Sequence, residues 1–235
     1  MSISDWARRV LVPPVRRSVE SLRRPHAVSR AVSRLRAGAA TPATLEALVS
    51  GWGNRGFTPR APFLAAVAER LESSQGPVLE CGSGITTLLL GVLAERRGFL
   101  VWALEHEERW ARVVARLLRR HSLRNVTVVH APLVEREAYA WYDLRNVALP
   151  RRFDSVVCDG PPGTTRGGRF GLVPELDERL SVGCVCLLDD ADRSGEQAIV
   201  HEWCATWGWS IVPQGSEGSF AVLRRTSVGS APRRG

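Results

Sequence analysis

Lysine is absent from this chain of 235 residues: all 32 basic residues are arginine. That one-sided usage is read as compositional bias, and no function attaches to it. No apolar run approaches the roughly 18 residues needed to span a bilayer. The first residues lack the uninterrupted apolar stretch of a secretory signal, because Arg and Pro recur through them, so the expected location is cytoplasmic. No CxxC pair occurs among the five cysteines, Cys81, Cys158, Cys184, Cys186 and Cys204. That excludes the common zinc and dithiol redox motifs. Most of these cysteines sit in apolar runs, where a free thiol behaves as a small hydrophobe. Reduced thiols also fit a cytoplasmic setting. There is no internal repeat and no low-complexity core.

What charge there is lies at the ends. Residues 1–36 hold nine arginines against Asp5 and Glu20, and residues 224–235 hold four arginines and no acid. The stretch between them, residues 37–223, has 19 arginines against 22 acids. A body without basic excess argues against an extended nucleic-acid surface on the core.

Residues 1–40 read as an Arg-rich arm, partly helical over 18–36 with Pro25 interrupting it. Residues 41–76 read as a helical lead-in, with starts at Thr41-Pro42 and Thr58-Pro59. From residue 77 to the end, apolar runs recur at 77–81, 99–104, 125–130, 153–158, 183–188 and 218–223. Helix-length amphipathic stretches lie between most of them, at 85–96, 107–121, 172–181 and 193–207. Apolar strands alternating with helices indicate an α/β fold: a Rossmann-like, doubly wound, mostly parallel sheet. The segment "WSIVPQGSEGSFAVLRR" adds two short strands around a turn, an antiparallel hairpin edge.

In such a sheet, ligands bind at the carboxyl ends of the strands near the switch in strand order. "VLECGSGITT", residues 78–87, lies there. Its glycines permit a tight turn and close approach of a ligand, but Thr87 replaces the third glycine of the dinucleotide fingerprint. Glu105 ends "FLVWALE" and can accept ribose hydroxyls, as in dinucleotide-binding proteins. Glu80 discriminates: beside the loop it repels a pyrophosphate and suits a ligand bearing an ammonium group.

Here the sequence resembles the class I S-adenosylmethionine-dependent methyltransferases, over roughly residues 52–224. "VLECGSG" matches the family's E/D-x-G-x-G loop, "ALEHE" its ribose acid, and "FDSVVCDGPPG" and "GCVCLLDDADR" follow in family order. The resemblance implies that S-adenosylmethionine is held by Glu80, Gly82, Ser83, Gly84, Thr86, Glu105, His106, Ala131 and Asp159. It implies methyl transfer, with O-methylation of a small molecule as the expected reaction. "VVHAPL" departs from it: many members carry an acid there for the adenine, leaving apolar packing by His130, Ala131 and Leu133.

Asp159 follows the run 153–158, and Asp189 and Asp190 follow the run 183–188. Neighbouring parallel strands bring these three carboxylates together, a set that suits Mg²⁺ and could activate a hydroxyl. That arrangement looks like the catechol-type O-methyltransferases. They are the expected catalytic and metal residues. The competing reading is that Asp189 and Asp190 cap the helix starting near Asp192. "DGPPG" lacks the aromatic of the adenine N-methylating pattern and has Gly160 inserted, which lowers that reading.

Weaker candidates are His130 as a base, "GWGNRGF" as a lid and Trp141-Tyr142-Asp143 as a pocket wall. The arm is read either as a solvated tail, a basic amphipathic helix on an anionic membrane, a nucleic-acid contact or a transit peptide. Two rival functions stand beside methyl transfer. One is a non-catalytic module of this fold that binds RNA or membrane through residues 1–36. The other is an NAD-dependent oxidoreductase, for which the chain leaves little room for a substrate domain.

Overall fold

The computed structural model describes residues 24–53, 58–214 and 219–227. Three helices come first: α1 (Pro25–Arg36), α2 (Pro42–Trp52) and α3 (Ala61–Leu71). Each has a proline in its first turn, where the missing N–H costs no helical hydrogen bond. Thr41 caps α2 by accepting from the Thr44 N–H at 3.3 Å, and Gly53 ends it in a left-handed conformation.

Pro25 therefore opens a helix rather than interrupting one. Val28, Ala31, Val32 and Leu35 of α1 are each at most 1% exposed and belong to the core. Their i, i+3, i+4, i+7 spacing gives α1 one apolar stripe. Arg36 then ties its end to Glu95 (2.9 Å) and to the His121 carbonyl. The fold thus begins inside the segment read as an arm. Residues 1–23 lie outside the described residues.

The chain continues as β1 (Val78–Cys81), α4 (Ile85–Arg97), β2 (Val101–Glu105), α5 (Glu108–Arg120), β3 (Val126–His130), β4 (Leu133–Glu135), β5 (Ala140–Tyr142) and β6 (Phe153–Cys158). It ends with α6 (Leu172–Leu176), a 3₁₀ turn (Asp177–Arg179), β7 (Leu180–Leu188), α7 (Ser194–Thr206), β8 (Trp209–Ile211) and β9 (Ala221–Arg225). The seven-stranded sheet has the order β3-β2-β1-β6-β7-β9-β8, with β9 antiparallel to both its neighbours and the other pairs parallel. The mostly parallel α/β sheet and the terminal antiparallel edge agree with the sequence pattern. One hydrophobic cluster packs α1 to α5 on one face of the sheet; the second packs α6 and α7 on the other. Helix α4 is buried from Ile85 to Ala94, as expected of a helix apolar on all sides.

The stretch 172–181 differs from expectation. Its helix stops at Leu176, and β7 already begins at Leu180, which pairs with Phe153 across an irregularity in register. The antiparallel pair β4 and β5 is separate from the main sheet, and at three residues each its strands are too short to show a period. Among the described residues, no helix is long and apolar enough to cross a membrane.

Candidate active site

Register decides what meets at the carboxyl edge of the sheet. Cys81 of β1 lies level with Leu104 of β2 and Cys158 of β6, and Cys158 lies level with Leu188 of β7. The next residues, Gly82, Glu105, Asp159 and Asp189, therefore emerge side by side. The strand order reverses between β1 and β6, which places the crevice there.

The two loop glycines have different reasons. Gly82 has φ +85°, and a Cβ on it would stand 2.9 Å from the Gly160 N. A Cβ on Gly160 would stand 2.7 Å from the Tyr142 hydroxyl oxygen and 2.8 Å from the Gly82 Cα. The glycine that interrupts "DGPPG" is thus the partner of Gly82 in a close backbone contact, and the Gly160 N–H donates to the Cys81 carbonyl at 2.7 Å. Gly84 is extended (φ 175°), and a Cβ there would meet nothing within 4 Å. No packing within the described chain requires glycine at 84.

Thr87, in place of a third glycine, links the loop to the acid beneath it. Its hydroxyl accepts from the Gly84 N–H and donates to Glu80 Oε2, both at 2.7 Å. Glu80 is fully buried, and its Oε1 has no hydrogen-bond partner among the described residues. Burial pushes the Glu80 carboxyl well above the usual range. The Thr87 hydroxyl opposes that rise, and the charges of Asp159 and Glu105 add to it.

Glu105 is nearly buried, and both its oxygens are engaged. Oε2 accepts from the Ser83 N–H (3.1 Å) and hydroxyl (2.8 Å). Oε1 accepts from the Glu107 N–H (2.9 Å) and lies 3.0 Å from His106 Nδ1. Burial pushes its pKa up, but hydrogen bonds from His106, Glu107 and Ser83 together outweigh that and leave it lowered. The indole of Trp110 donates to the Ser83 carbonyl at 2.8 Å and packs edge-on against Trp52. This clamp was not foreseen in the sequence, where Trp110 is one apolar position of an amphipathic helix.

Asp159, Asp189 and Asp190 do converge: each offers an oxygen within 4.8 Å of the others. Asp190 has φ +57°, a left-handed conformation that Asp tolerates better than most residues. Asp189 and Asp190 do not cap α7, whose N-terminal cap residue is Arg193. Instead the cluster is organised by Arg169, only 2% exposed and not singled out from the sequence. Its Nη2 reaches Asp190 Oδ2 at 2.8 Å and Asp159 Oδ1 at 3.2 Å, and its Nη1 reaches Glu196 Oε1 at 3.4 Å. It also donates to the main-chain carbonyls of Asp159 (2.8 Å) and Asp189 (2.7 Å). Arg193 takes Asp190 Oδ1 at 2.9 Å, and the Asp190 N–H takes Asp189 Oδ1 at 2.9 Å. Burial raises Asp159 to about 8, with the charge of Asp189 adding to it, and raises Asp189 to about 6.

No protein-family model matches this chain, and no curated protein does. Solved structures do. The METTL16 MTase domain (crystal form 2) superposes with a TM-score of 0.51 at 16% identity, covering 79% of this chain and 80% of that one. A cofactor-bound structure of Rv0187 from MTB gives 0.51 at 19% identity, covering 69% and 78%. The chain has the methyltransferase fold.

Set on that fold, the expected site residues separate. Glu80, Gly82, Ser83, Gly84, Glu105, His106 and Asp159 gather around one crevice edge. Thr86 is the second residue of α4, 3% exposed, and Ala131 is fully buried, its N–H donating to the Glu105 carbonyl at 2.8 Å. Trp141 and Tyr142 lie in the core, so only Asp143 of that trio is partly exposed, and it pairs with Arg145. His130 is exposed at the end of β3. Of "GWGNRGF", residues 54–57 lie outside the described residues, and Trp52 is buried. The cofactor expected from the resemblance fits what is present: an unpartnered buried oxygen on Glu80, open space over Gly84 and an acid at the tip of β2. Mg²⁺ does not fit. Asp159 Oδ1, Asp189 Oδ1 and both oxygens of Asp190 already accept from N–H donors, two of them from a buried guanidinium of the same chain. A hard cation demanding near-octahedral oxygen ligation is not served by that set.

Proposed function

We propose that this chain transfers a methyl group from S-adenosylmethionine to a small-molecule acceptor, an oxygen nucleophile in the first instance. The observation that carries the reading is Gly84: bare backbone beside open space, at the switch point, with no neighbour among the described residues that needs it bare. A ligand lying on the loop supplies the reason. When bound, the cofactor supplies an electrophilic methyl group on a sulfonium.

The chain's own contribution is positioning and proton transfer. Glu80, beneath the loop, has an unpartnered Oε1; burial favours its neutral form without ligand, and it gives up its proton more readily once the cationic end of the cofactor lies beside it. At Glu105, the Ser83 hydroxyl stands where a ribose hydroxyl would donate, so binding exchanges one O–H···O bond for another. His106, about one-third exposed, borders the same acid. Asp159 and Asp190 keep about a quarter of their side chains exposed at the crevice. Asp159 is the base in this reading: it accepts the acceptor's proton as the new bond to carbon forms. Held at about 8 without ligand, it loses its own proton more readily once positive charge arrives beside it. A cavity of about 430 Å³, lined by Gly163, Gly167, Gly168, Phe170, Glu196 and Ile199, is of small-molecule size and shares Glu196 with the acid cluster.

A basic amphipathic helix on a membrane loses its basis over residues 25–36, because the apolar stripe of α1 is consumed by the core. The test of the main reading is calorimetric titration of the full chain with S-adenosylmethionine and, separately, NAD. Saturable binding of the first alone is expected. Binding of NAD alone overturns the proposal in favour of the oxidoreductase, and binding of neither favours a non-catalytic module.

A further inference from the structure

Arg169 occupies a place that composition and motif both leave unmarked. The loop delivering it is forced against β5 by glycines: a Cβ on Gly167 would stand 2.4 Å from the Tyr139 Cβ, and one on Gly171 would stand 2.7 Å from the Trp141 ring. Gly167 and Gly168 both have positive φ, at 75° and 53°. Between these contacts the guanidinium is driven almost wholly out of water, which is costly unless charge and hydrogen bonds compensate. They do: it meets the side chains of Asp159, Asp190 and Glu196 and the carbonyls at the ends of β6 and β7. One planar cation therefore ties two strand ends to the first turn of α7. Asp189, the third acid, is 4% exposed and completes the set.

We propose that Arg169 is the resident cation of this carboxylate cluster, standing in the place of a divalent metal ion, and that removing its guanidinium converts Asp159, Asp189 and Asp190 into a divalent-cation site. The inference rests on the geometry of these side chains and is independent of which cofactor lies on the glycine loop. Its electrostatic logic is direct. Four carboxylates, Asp159, Asp189, Asp190 and Glu196, share two arginines, 169 and 193. An ion bound to Asp159 and Asp190 would share its oxygens with the Arg169 Nη2 and be repelled by it at short range. Without that nitrogen, three oxygens within 4.8 Å of one another face a single exposed arginine. Such a set can hold a hard cation that keeps several waters. Arg169 is thus a positioning residue: it fixes the carboxylates through contacts with them and touches no reacting atom.

The experiment is a Mn²⁺ titration followed by electron paramagnetic resonance, on the full chain without cofactor. The quantity read is the part of Mn²⁺ binding that Asp190→Asn removes. For the natural sequence that part is expected to be nil up to the order of 1 mM, the weak end of protein divalent sites. Arg169→Met, confirmed folded by circular dichroism, is expected to bind Mn²⁺ at least tenfold more tightly than the natural chain. Arg169→Lys, which restores a cation, is expected to suppress that gain, a rescue that a purely structural role would not produce. Saturable, Asp190-dependent binding by the natural chain overturns the proposal, and so does a folded Arg169→Met protein that binds none. If Arg169→Met does not fold, Arg169→Gln carries the same comparison, and Asp190-dependent binding by the natural chain still overturns the proposal.

Discussion

Two glycines two residues apart should answer differently to the same methyl group. At Gly82, alanine must adopt φ +85°, which costs roughly 1–2 kcal/mol for an L-residue. Its Cβ must also enter a space only 2.9 Å from the Gly160 N and 3.0 Å from its Cα, and backbone cannot swing aside as a side-chain tip can. Overpacking of that kind adds about 1–3 kcal/mol. Gly82→Ala is therefore expected to destabilise by about 2–5 kcal/mol, a melting-temperature drop on the order of 5–15 °C for a chain of this size. At Gly84, alanine inherits an extended backbone with nothing within 4 Å. Gly84 is also the N-cap of α4, where alanine is poorer than glycine, so the stability of the variant should fall by no more than about 1 kcal/mol.

Ligand affinity should reverse the order of interest. If S-adenosylmethionine lies over Gly84, the added methyl occupies its space, and the same overpacking penalty converts to roughly a five- to 150-fold loss of affinity. The assay is paired: thermal unfolding without ligand, then calorimetric titration of the folded variants at low temperature. A Gly84→Ala protein with natural stability and natural affinity refutes the argument that the bare backbone serves a ligand. A Gly84→Ala protein as destabilised as Gly82→Ala refutes the distinction between the two glycines.

Two further predictions concern the fold around the site. Asp159 and Asp189 hold protons in the native state up to about 8 and about 6, against ordinary values near 3.8. Over that interval the folded chain binds more protons than the unfolded one, so unfolding free energy falls as pH rises from about 4 to about 8. Urea titrations of the ligand-free protein at pH 5, 6.5 and 8 read this directly; a stability that is flat or rising across them would contradict the cluster as described. Glu80, raised by burial, adds to this trend; Glu105 acts in the opposite sense only below its ordinary value of 4.5, beneath the lowest pH assayed, and His121, lowered from 6.5 by burial, opposes the trend below that value. The second prediction is a pair of truncations. Deletion through Arg36 removes Val28, Val32 and Leu35 from the core, about 5–9 kcal/mol of burial, comparable with the whole stability of a typical domain. A chain starting at residue 24 is the reference; equal melting temperatures for the two would show that α1 is not part of the folded body.

What the sequence disclosed and what it hid follow from the range of the interactions. The parallel sheet was legible because strands covered on both faces need continuous apolar runs, and Val101–Leu104, Val156–Cys158 and the later part of β7 carry them openly. Glu105, Asp159 and Asp189 were legible for a related reason: in a parallel sheet the residues at or just after each strand end are delivered to the same edge, so position in the pattern stands in for position in space, while Glu80, inside β1, was marked by the glycines that follow it. Residues that act sideways across the fold have no such marker. Arg169 sits nowhere near a strand end in sequence, one arginine among 32. Its importance comes from burial, which depends on how closely Gly167 and Gly171 let the loop approach Tyr139 and Trp141. The Trp110 clamp and the Gly82–Gly160 contact are of the same kind, pairings between segments that share no period. Pro25 shows the converse error, in which a local rule was applied with the wrong sign: a proline behind two arginines reads as a break, yet at the first position of a helix it is a start. The buried stripe that follows then decides that α1 belongs to the folded body, because Val28, Ala31, Val32 and Leu35 leave no apolar face for anything else to use.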